Sequence, residues 1–258
     1  MKISNNTILI TGGGSGIGLA LAEALAQADN QVIVAGRSPN KLENAAGKGL
    51  KTFTVDMADE KSIYTLAQNV TREFPSLNVV IHNAGIMKNE NLIKGNHPGI
   101  ARETVDTNLL GPMHLTDALL PHFLKQPHAT IMTVTSGLAY APLNLTPTYS
   151  ATKAAIHSYT ESLRYQLRNT KIEVLELVPP YVQTHLMGDR QANDPNAMPL
   201  QDFITEVMQI LKTQPGAKEI LVERVKAQRF SASSGQEAYE KFFAQLNDRM
   251  TEARKNEF

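Results

Sequence analysis

The sequence predicts a single α/β domain in which helices cover both faces of a doubly wound parallel sheet of about seven strands. Three observations predict this fold class. Short β-rich apolar runs alternate with amphipathic helical stretches from the N-terminus onward. Most of these runs are continuously apolar, as expected for strands that are buried on both faces. A glycine-rich turn, residues 11–18, stands between the first strand and the first helix, and no linker or repeat interrupts the pattern before about residue 180.

The candidate elements follow one another in the order that such a fold requires. The first helix has one apolar stripe, to which Ile17, Leu21 and Leu25 contribute with alanines between them. The predicted strands cover residues 7–11, 31–35, 51–55, 77–81, 130–135, 172–178 and 219–222.

Two C-terminal segments have a different character. Residues 181–200 contain Gly188, Pro195 and Pro199 among methionines and polar residues, which predicts a loop or short-helix insertion. Residues 234–237 have capping-box spacing and precede an apolar face, which predicts a helix over about 234–253. Docking of that helix on the domain is favoured over a role as a subunit interface.

The composition excludes several classes of protein. The chain has no cysteine, which excludes a disulfide scaffold, a thiol nucleophile and a thiolate metal site. Its 25 basic and 25 acidic residues balance, so no bulk charge favours a nucleic acid or an anionic membrane. No apolar run has signal-peptide length or approaches the roughly 20 residues that span a bilayer. The dispersed histidines have no metal-ligand spacing. We therefore expect a cytoplasmic protein with no metal, no nucleic-acid partner and no membrane partner.

The glycine-rich turn predicts a phosphate-binding site. Glycines let the backbone approach a pyrophosphate closely, and the helix N-terminus adds free N–H groups and a partial positive charge. Gly12, Gly16 and Gly18 fit the pattern T-G-x-x-x-G-x-G, whereas the register of G-x-G-x-x-G is not satisfied. A glycine cluster alone could be a tight turn, but its place between strand and helix favours a Rossmann-type dinucleotide site.

The tip of the second strand indicates which dinucleotide binds. An acidic residue there would bind the ribose 2′-hydroxyl of NAD. This chain instead has Arg37 and Ser38, and its next acid is Glu43. An arginine and a hydroxyl suit a 2′-phosphate, so NADP(H) is preferred and NAD(H) is the second choice, although Ser15 in the glycine turn supplies no second cation. The alternative for Arg37 is a solvated surface side chain.

A tyrosine and a lysine are spaced to share one helix face. Tyr149 and Lys153 stand at positions i and i+4, and a lysine ammonium within about 4–6 Å would lower the pKa of the phenol. The pair could then act as a general acid and base, although this spacing alone is common by accident. Ser136 ends the fifth predicted strand and Asn83 follows the fourth, so both lie at the carboxyl edge where ligands bind in open α/β sheets. Asn108 lies in the helix that follows.

Taken in order, these motifs resemble the short-chain dehydrogenase/reductase family. The resemblance rests on the glycine turn, Asp56, Asn-Ala-Gly at 83–85, Asn108, Ser136 and Tyr149-x-x-x-Lys153, and it extends from Thr7 to about Thr184. The similarity is greater still to the DltE-type oxidoreductases of that family. It lies in the residues around Ser136, in those after Lys153 and in the Pro179-Pro180 pair. The resemblance implies a reversible hydride transfer between a nicotinamide and a carbonyl or alcohol substrate.

The resemblance also implies roles for individual residues. Tyr149 would exchange the proton, and Ser136 would hydrogen-bond the substrate oxygen. Lys153 would bind the nicotinamide ribose and lower the tyrosine pKa, and Asn108 would hold a water of the proton relay. Asp56 would contact the adenine. The cofactor residues are Gly12, Ser15, Gly16, Ile17, Gly18, Arg37, Asp56, Met57, Asn83, Ala84, Gly85, Tyr149, Lys153, Pro179, Val182 and Thr184.

Two positions depart from the family pattern, and other classes remain as alternatives. His82 stands where the family has an asparagine, and Pro180 replaces a glycine; neither is a reacting group, and both are interpreted as tolerated.

A catalytically silent dinucleotide-binding sensor or scaffold would be expected to lack Tyr149 or Lys153. A methyltransferase would explain the glycine turn but not that pair. Residues 181–200 are expected to carry substrate specificity, and the resemblance implies a homodimer or homotetramer.

Overall fold

Parallel strands form one sheet in the computed structural model, which describes residues 1–95 and 97–254. Their bounds agree with the sequence-based prediction to within one residue at either end. The strands are β1 (Thr7–Thr11), β2 (Gln31–Gly36), β3 (Lys51–Thr54), β4 (Leu77–His82), β5 (Ala129–Val134), β6 (Ile172–Val178) and β7 (Glu219–Leu221).

The sheet has seven strands in the order β3-β2-β1-β4-β5-β6-β7, and every neighbouring pair is parallel. The chain builds outward from β1 to β3, then crosses back to place β4 on the other side of β1. Ligands of open α/β sheets bind outside the carboxyl ends of the strands at such a reversal. The predicted doubly wound fold is therefore confirmed, and its reversal lies between β1 and β4.

Helices cover both faces of this sheet. They are α1 (Gly16–Gln27), α2 (Pro39–Gly47), α3 (Glu60–Glu73), α4 (Ile100–Val105), α5 (Gly111–Phe123), α6 (Pro147–Gln166), α7 (Asp189–Asn193), α8 (Leu200–Thr213), α9 (Glu223–Arg229) and α10 (Gln236–Ala253).

Burial on two faces explains why the strands are continuously apolar. Ile8 and Ile10 of β1 pack into a core that includes Phe203 of α8, whereas Leu9 packs into the opposite core with Phe123 of α5. All three strand residues are fully buried. Strands with alternating apolar and polar residues would have one face exposed to solvent, whereas these strands are covered on both faces.

The helical segment before β5 differs from a simple helix over 100–124. One turn of π-helix, Asp106–Leu110, separates α4 from α5 and carries Asn108. The turn widens the helix locally at a residue with an assigned role, and π-turns are frequent at functional sites.

The two C-terminal segments take ordered conformations. Residues 181–200 contain α7 and are closed by a bridge between Val182 and Met198. α10 docks on the domain, but it starts after Gly235, whose φ is +100°, and the capping-box hydrogen bond expected at residues 234–237 does not form. Asn247 of this helix and Arg254 just after it are buried. Over the described residues, no helix is both long enough and apolar enough to cross a bilayer.

Candidate active site

A cleft of about 480 Å³ lies over the carboxyl ends of β1, β2, β4 and β5. It brings together most of the residues that the sequence singled out. The predicted residues that line it are Gly12, Ser15, Gly16, Ile17, Arg37, Met57, Asn83, Ala84, Gly85, Ser136, Tyr149, Lys153, Pro179, Val182 and Thr184. Gly18, Asp56 and Asn108 do not line it.

The glycine turn forms one end of the cleft. Gly12 has φ +67°, and a Cβ there would lie 2.8 Å from the Cα of Ala84, so only glycine fits. The Asn83 amide donates to the carbonyl oxygen of Thr11 at 3.0 Å, which ties the end of β4 to the turn. α1 begins at Gly16; among the described residues, no side chain caps its first amides and its first turn holds no acid. This cradle of uncapped N–H groups fits the pyrophosphate of a dinucleotide.

Gly18 has a packing role beneath that turn. A Cβ on Gly18 would lie 2.4 Å from Nδ2 of Asn83 and 2.5 Å from the carbonyl oxygen of Gly12. The missing side chain lets α1 approach the end of β4 and the turn, and a cofactor contact at this position stays a prediction.

Charged side chains stand at the tip of β2. Arg37 lines the cleft, and its Nη1 lies 4.0 Å from Oδ1 of Asp56. Asp56 accepts the amide N–H of Ala58 at 3.0 Å and does not itself line the cleft, so its neighbour Met57 is the contact there. Lys41 also lines the cleft. It supplies the second cation that the glycine turn lacks, and its spacing of four residues from Arg37 is the signal that could have revealed it.

The predicted catalytic residues meet at the other end of the cleft. Ser136, Tyr149 and Lys153 are 9%, 7% and 5% exposed. The Ser136 hydroxyl accepts the amide N–H of Leu138 at 3.1 Å, which fixes its direction at the end of β5. The Lys153 ammonium donates to the carbonyl oxygen of Val134 at 2.7 Å and lies 5.5 Å from the centroid of the Tyr149 ring.

Burial dominates the titration of these groups. It raises the pKa of Tyr149 to about 12, and a hydrogen bond with Ser136 opposes the rise. Burial therefore sets the net direction of this pKa, and the expectation that Lys153 lowers it stays a prediction. Burial also lowers the pKa of Lys153 to about 8, because an ammonium removed from water is destabilised.

Asn108 acts on the cleft through the backbone. Its amide accepts the N–H of Ile86 and donates to the carbonyl oxygen of Ile86, both at 2.9 Å. Ile86 lines the cleft directly after Gly85. The π-turn thus holds the β4 end of the wall in place.

The segment after β6 forms the remaining wall. The side chain of Gln191 is buried and donates to the carbonyl oxygen of Val182 at 2.9 Å and to Oγ1 of Thr184 at 3.2 Å. No sequence signal pointed to Gln191. His185 reaches the mouth of the cleft, and its side chain is 72% exposed.

The two departures from the family pattern have separate surroundings. His82 is 3% exposed, bonds Oγ1 of Thr116 at 2.9 Å, and has its pKa lowered to about 4 by burial. It is therefore a neutral packing residue. Pro180 lines the cleft, and the carbonyl of Pro179 before it accepts the amide of Gly137 at 2.9 Å.

Comparisons with known proteins agree with this geometry. A family model for the short chain dehydrogenases matches residues 6–195. The oxidoreductase DltE of Bacillus subtilis (strain 168) is 39% identical over 96% of this chain and 98% of its own. A short chain dehydrogenase from Burkholderia cenocepacia J2315 in complex with NADP has a TM-score of 0.82 at 21% identity, covering 94% of this chain and 99% of that one.

A second solved structure has the same fold with the other cofactor. The enzyme from Burkholderia phymatum in complex with NAD has a TM-score of 0.77 at 18% identity, covering 91% of this chain and 95% of that one. The predicted family and its DltE-type subgroup are both confirmed: the chain belongs to the short-chain dehydrogenase/reductase family and is an oxidoreductase related to DltE.

Proposed function

We propose that the chain transfers a hydride between NADP(H) and a small carbonyl or alcohol substrate, with Tyr149 as the general acid and base. One observation carries the proposal: a buried serine, tyrosine and lysine meet at one end of a cleft whose other end is an uncapped helix N-terminus. The first group suits proton exchange with a carbonyl oxygen, and the second suits a phosphate.

The protein's own part in this reaction is to orient the reactants and manage the proton. The cofactor supplies or accepts the hydride when it is bound. Ser136, held by the amide of Leu138, presents its hydroxyl to the substrate oxygen. Tyr149 is protonated at neutral pH, so it can donate to the oxygen that gains charge during reduction. Lys153 places a positive charge beside the phenol that loses the proton.

Residues at the tip of β2 support a preference for NADP(H). Arg37, Ser38 and Lys41 all line the cleft at the tip of β2, and two of them are cations. A 2′-phosphate would accept charge-assisted hydrogen bonds from them. Asp56 at 4.0 Å competes for Arg37, so NAD(H) remains the second choice. The solved relatives bind one dinucleotide or the other and do not decide the matter.

The substrate side rests on fewer contacts. We propose that the segment from Tyr181 to Leu200 selects the substrate, because it forms a wall of the cleft that includes His185 and Leu186. Assembly as a homodimer or homotetramer, and location in the cytoplasm, stay predictions from the resemblance and the composition.

Replacement of Tyr149 by Phe tests the reaction. We expect turnover to fall by about 10²- to 10⁴-fold, the usual contribution of a general acid and base. NADPH binding, followed by cofactor fluorescence, should stay within a few-fold of wild type. Tyr165→Phe, at an exposed tyrosine of the same helix, is the matched control.

A panel of carbonyl substrates with NADPH and NADH supplies the assay. A near-wild-type rate in Tyr149→Phe would falsify the assignment of the proton donor. NADPH binding with no turnover of any substrate by the wild type would instead favour the silent sensor or scaffold.

A further inference from the structure

A buried network of ionisable side chains adjoins the Lys153 end of the cleft. At its centre Glu176 of β6 has no exposed surface. It accepts hydrogen bonds from Oγ1 of Thr135 at 2.7 Å, Nδ1 of His157 at 2.9 Å and the hydroxyl of Tyr140 at 3.1 Å. A carboxylate at this depth needs hydrogen bonds and a counter-charge, since burying an unpaired charge is strongly unfavourable.

The second acid of the network already has its counter-charge. Arg229 donates to both carboxylate oxygens of Glu219, at 2.8 and 3.1 Å, and its guanidinium lies 4.4 Å over the ring of Tyr140. The Tyr140 hydroxyl lies 3.0 Å from Glu219 and links it to Glu176. Glu176 is therefore the carboxylate of the pair without an arginine partner.

Contacts from two elements connect Glu176 to the surroundings of Lys153. The Lys153 ammonium binds the carbonyl oxygen of Val134, and the next residue, Thr135, donates to Glu176. On α6, His157 stands one helical turn beyond Lys153 on the same face and also donates to Glu176. The carboxylate is thus tied both to the strand end that holds the ammonium and to the helix that carries it.

The protonation states agree with this geometry. Burial by itself would raise the pKa of the Glu176 carboxyl, but hydrogen bonds from His157 and Thr135 outweigh it and hold the pKa below its ordinary value. Burial lowers the pKa of Lys153 to about 8, and the charge of Glu176 opposes that effect. The hydrogen bond to Glu176 raises the pKa of His157.

We propose that Glu176 is a positioning residue for the reaction: its buried carboxylate is the counter-charge that keeps Lys153 an ammonium beside Tyr149, and His157 connects that carboxylate to solvent. The side chain of His157 is 19% exposed, and its Nε2 lies 3.7 Å from the exposed Glu161. The inference rests on the proposed function, because it assumes that the charge of Lys153 serves proton exchange at Tyr149.

A metal ion is a poorer occupant of this network. Ligand atoms of His157, Glu176 and Glu219 lie within 4.8 Å of one another, a spacing that the dispersed histidines of the sequence did not suggest. The Tyr140 hydroxyl, however, lies 3.0 to 3.1 Å from an atom of each and fills the centre of the group. Arg229 adds a cation, which would repel a metal ion.

The direction of the pH effect follows from the charges around Glu176. Lys153 is an ammonium below its pKa, so activity that needs this charge falls as the pH rises through about 8. Removal of the Glu176 charge destabilises the ammonium. The fall in activity on the alkaline side of the pH profile, the alkaline limb, then moves to lower pH. The titratable and charged groups that face the carboxylate or its partners are Lys153, His157 and Glu161 of α6, Tyr140 beside the Ser136 turn, Glu219 of β7 and Arg229 of α9.

Direct titration of Lys153 tests the proposal without any need for turnover. Lysines labelled with ¹³C at Cε are followed by NMR against pH in the full-length protein, with Lys153→Met used only to assign the signal. In Glu176→Gln, which keeps the shape and loses the charge, we expect the Lys153 midpoint to fall by about one unit or more. In Glu161→Gln, the exposed control on the same helix, it should stay in place.

Further variants separate charge from packing. Glu176→Asp keeps the charge, so its midpoint should stay close to that of the wild type, and Glu176→Leu supplies the neutral replacement if the glutamine variant does not fold. An unchanged midpoint in a folded neutral variant, or an equal fall in Glu176→Asp, overturns the proposal.

The rate profile then separates this inference from the proposed function. If the enzyme turns over, the alkaline limb of kcat in Glu176→Gln should move with the Lys153 midpoint and reduce the rate about tenfold above it, as one pH unit requires. A merely structural role would lower the rate at every pH and leave the limb in place. If the Lys153 midpoint moves and the alkaline limb of kcat does not, the role of Glu176 in the reaction is overturned. If Tyr149→Phe keeps its activity, only the proposed function is contradicted.

Discussion

The two walls of the cleft are built in different ways. On the side of β1 and β4, backbone forms the wall: Gly12 leaves no room for a side chain, and Asn83 ties the two strand ends together. On the side of residues 181–200, side chains do this work, with Gln191 binding Val182 and Thr184. The first wall therefore depends on a residue without a side chain, and the second wall depends on hydrogen bonds between particular polar side chains.

This difference matches the separate functions that we propose for the two walls, cofactor binding and substrate selection. A dinucleotide presents the same phosphates to every relative, so a backbone cradle serves all of them. The family model matches residues 6–195 and ends inside the side-chain wall. Beyond it, α8, α9 and α10 continue to residue 253, and Arg254 after α10 binds the Tyr181 hydroxyl at 3.3 Å and Sδ of Met187 at 3.1 Å. The wall that we propose selects the substrate is thus braced by the part of the chain that lies outside the shared family region.

A change in the backbone wall should have the largest effect. Gly12→Ala forces a side chain into a left-handed conformation and against the backbone of Ala84. Strain and overpacking each contribute about 1–3 kcal/mol, so we expect NADPH affinity to fall by about a hundredfold or more, measured by fluorescence titration. Gly216→Ala, where no atom lies within 4 Å of the added methyl group, should bind NADPH as the wild type does. Near-normal affinity in Gly12→Ala would show that the turn can relax and that the contrast between the walls is overstated.

Arg37→Ala should have a smaller and selective effect. The variant keeps the cradle but loses charge-assisted hydrogen bonds to a 2′-phosphate, which contribute about 1.5–3 kcal/mol. NADPH should bind about ten- to a hundredfold more weakly, whereas NADH should bind nearly unchanged. Parallel titrations with the two dinucleotides make the comparison, and an equal loss for both would contradict a phosphate contact.

Arg254→Ala should have the smallest effect, confined to the substrate wall. Its hydrogen bonds to Tyr181 and Met187 contribute about 0.5–1.5 kcal/mol each. Because they brace the wall and do not touch the substrate, we expect only part of this loss to reach substrate binding, so KM for the carbonyl substrate should rise by about three- to tenfold. NADPH affinity should stay constant. Arg249→Ala, at an exposed arginine of α10, is the control. If NADPH affinity fell as much as KM rose, the two walls would not be independent.

Local signals in the sequence were enough to predict the fold and most of the cleft. The strands could be located because burial on two faces makes them continuously apolar, as Ile8, Leu9 and Ile10 illustrate. The glycine turn, Ser136 and the Tyr149–Lys153 pair could be found because each combines a short pattern with a known place beside a strand or helix.

Contacts between distant parts of the chain could not be predicted in this way. Gln191 has ordinary sequence surroundings, and only the folded chain brings it to the cleft. The pKa of Tyr149 depends on burial, which spacing on a helix does not report. The contact of His157 could not be predicted because its partner, Glu176, lies 19 residues away on another element.

The bridge between Val182 and Met198 has a consequence for how such enzymes diverge. It closes the substrate segment at its base, so the intervening residues form an insert whose ends are fixed by the domain. The entropy of closing a loop changes by only about 0.6 kcal/mol when the loop doubles in length. A descendant could therefore lengthen, shorten or replace this insert while β6 and α8 keep their places. The reaction and the choice of substrate could then be inherited separately.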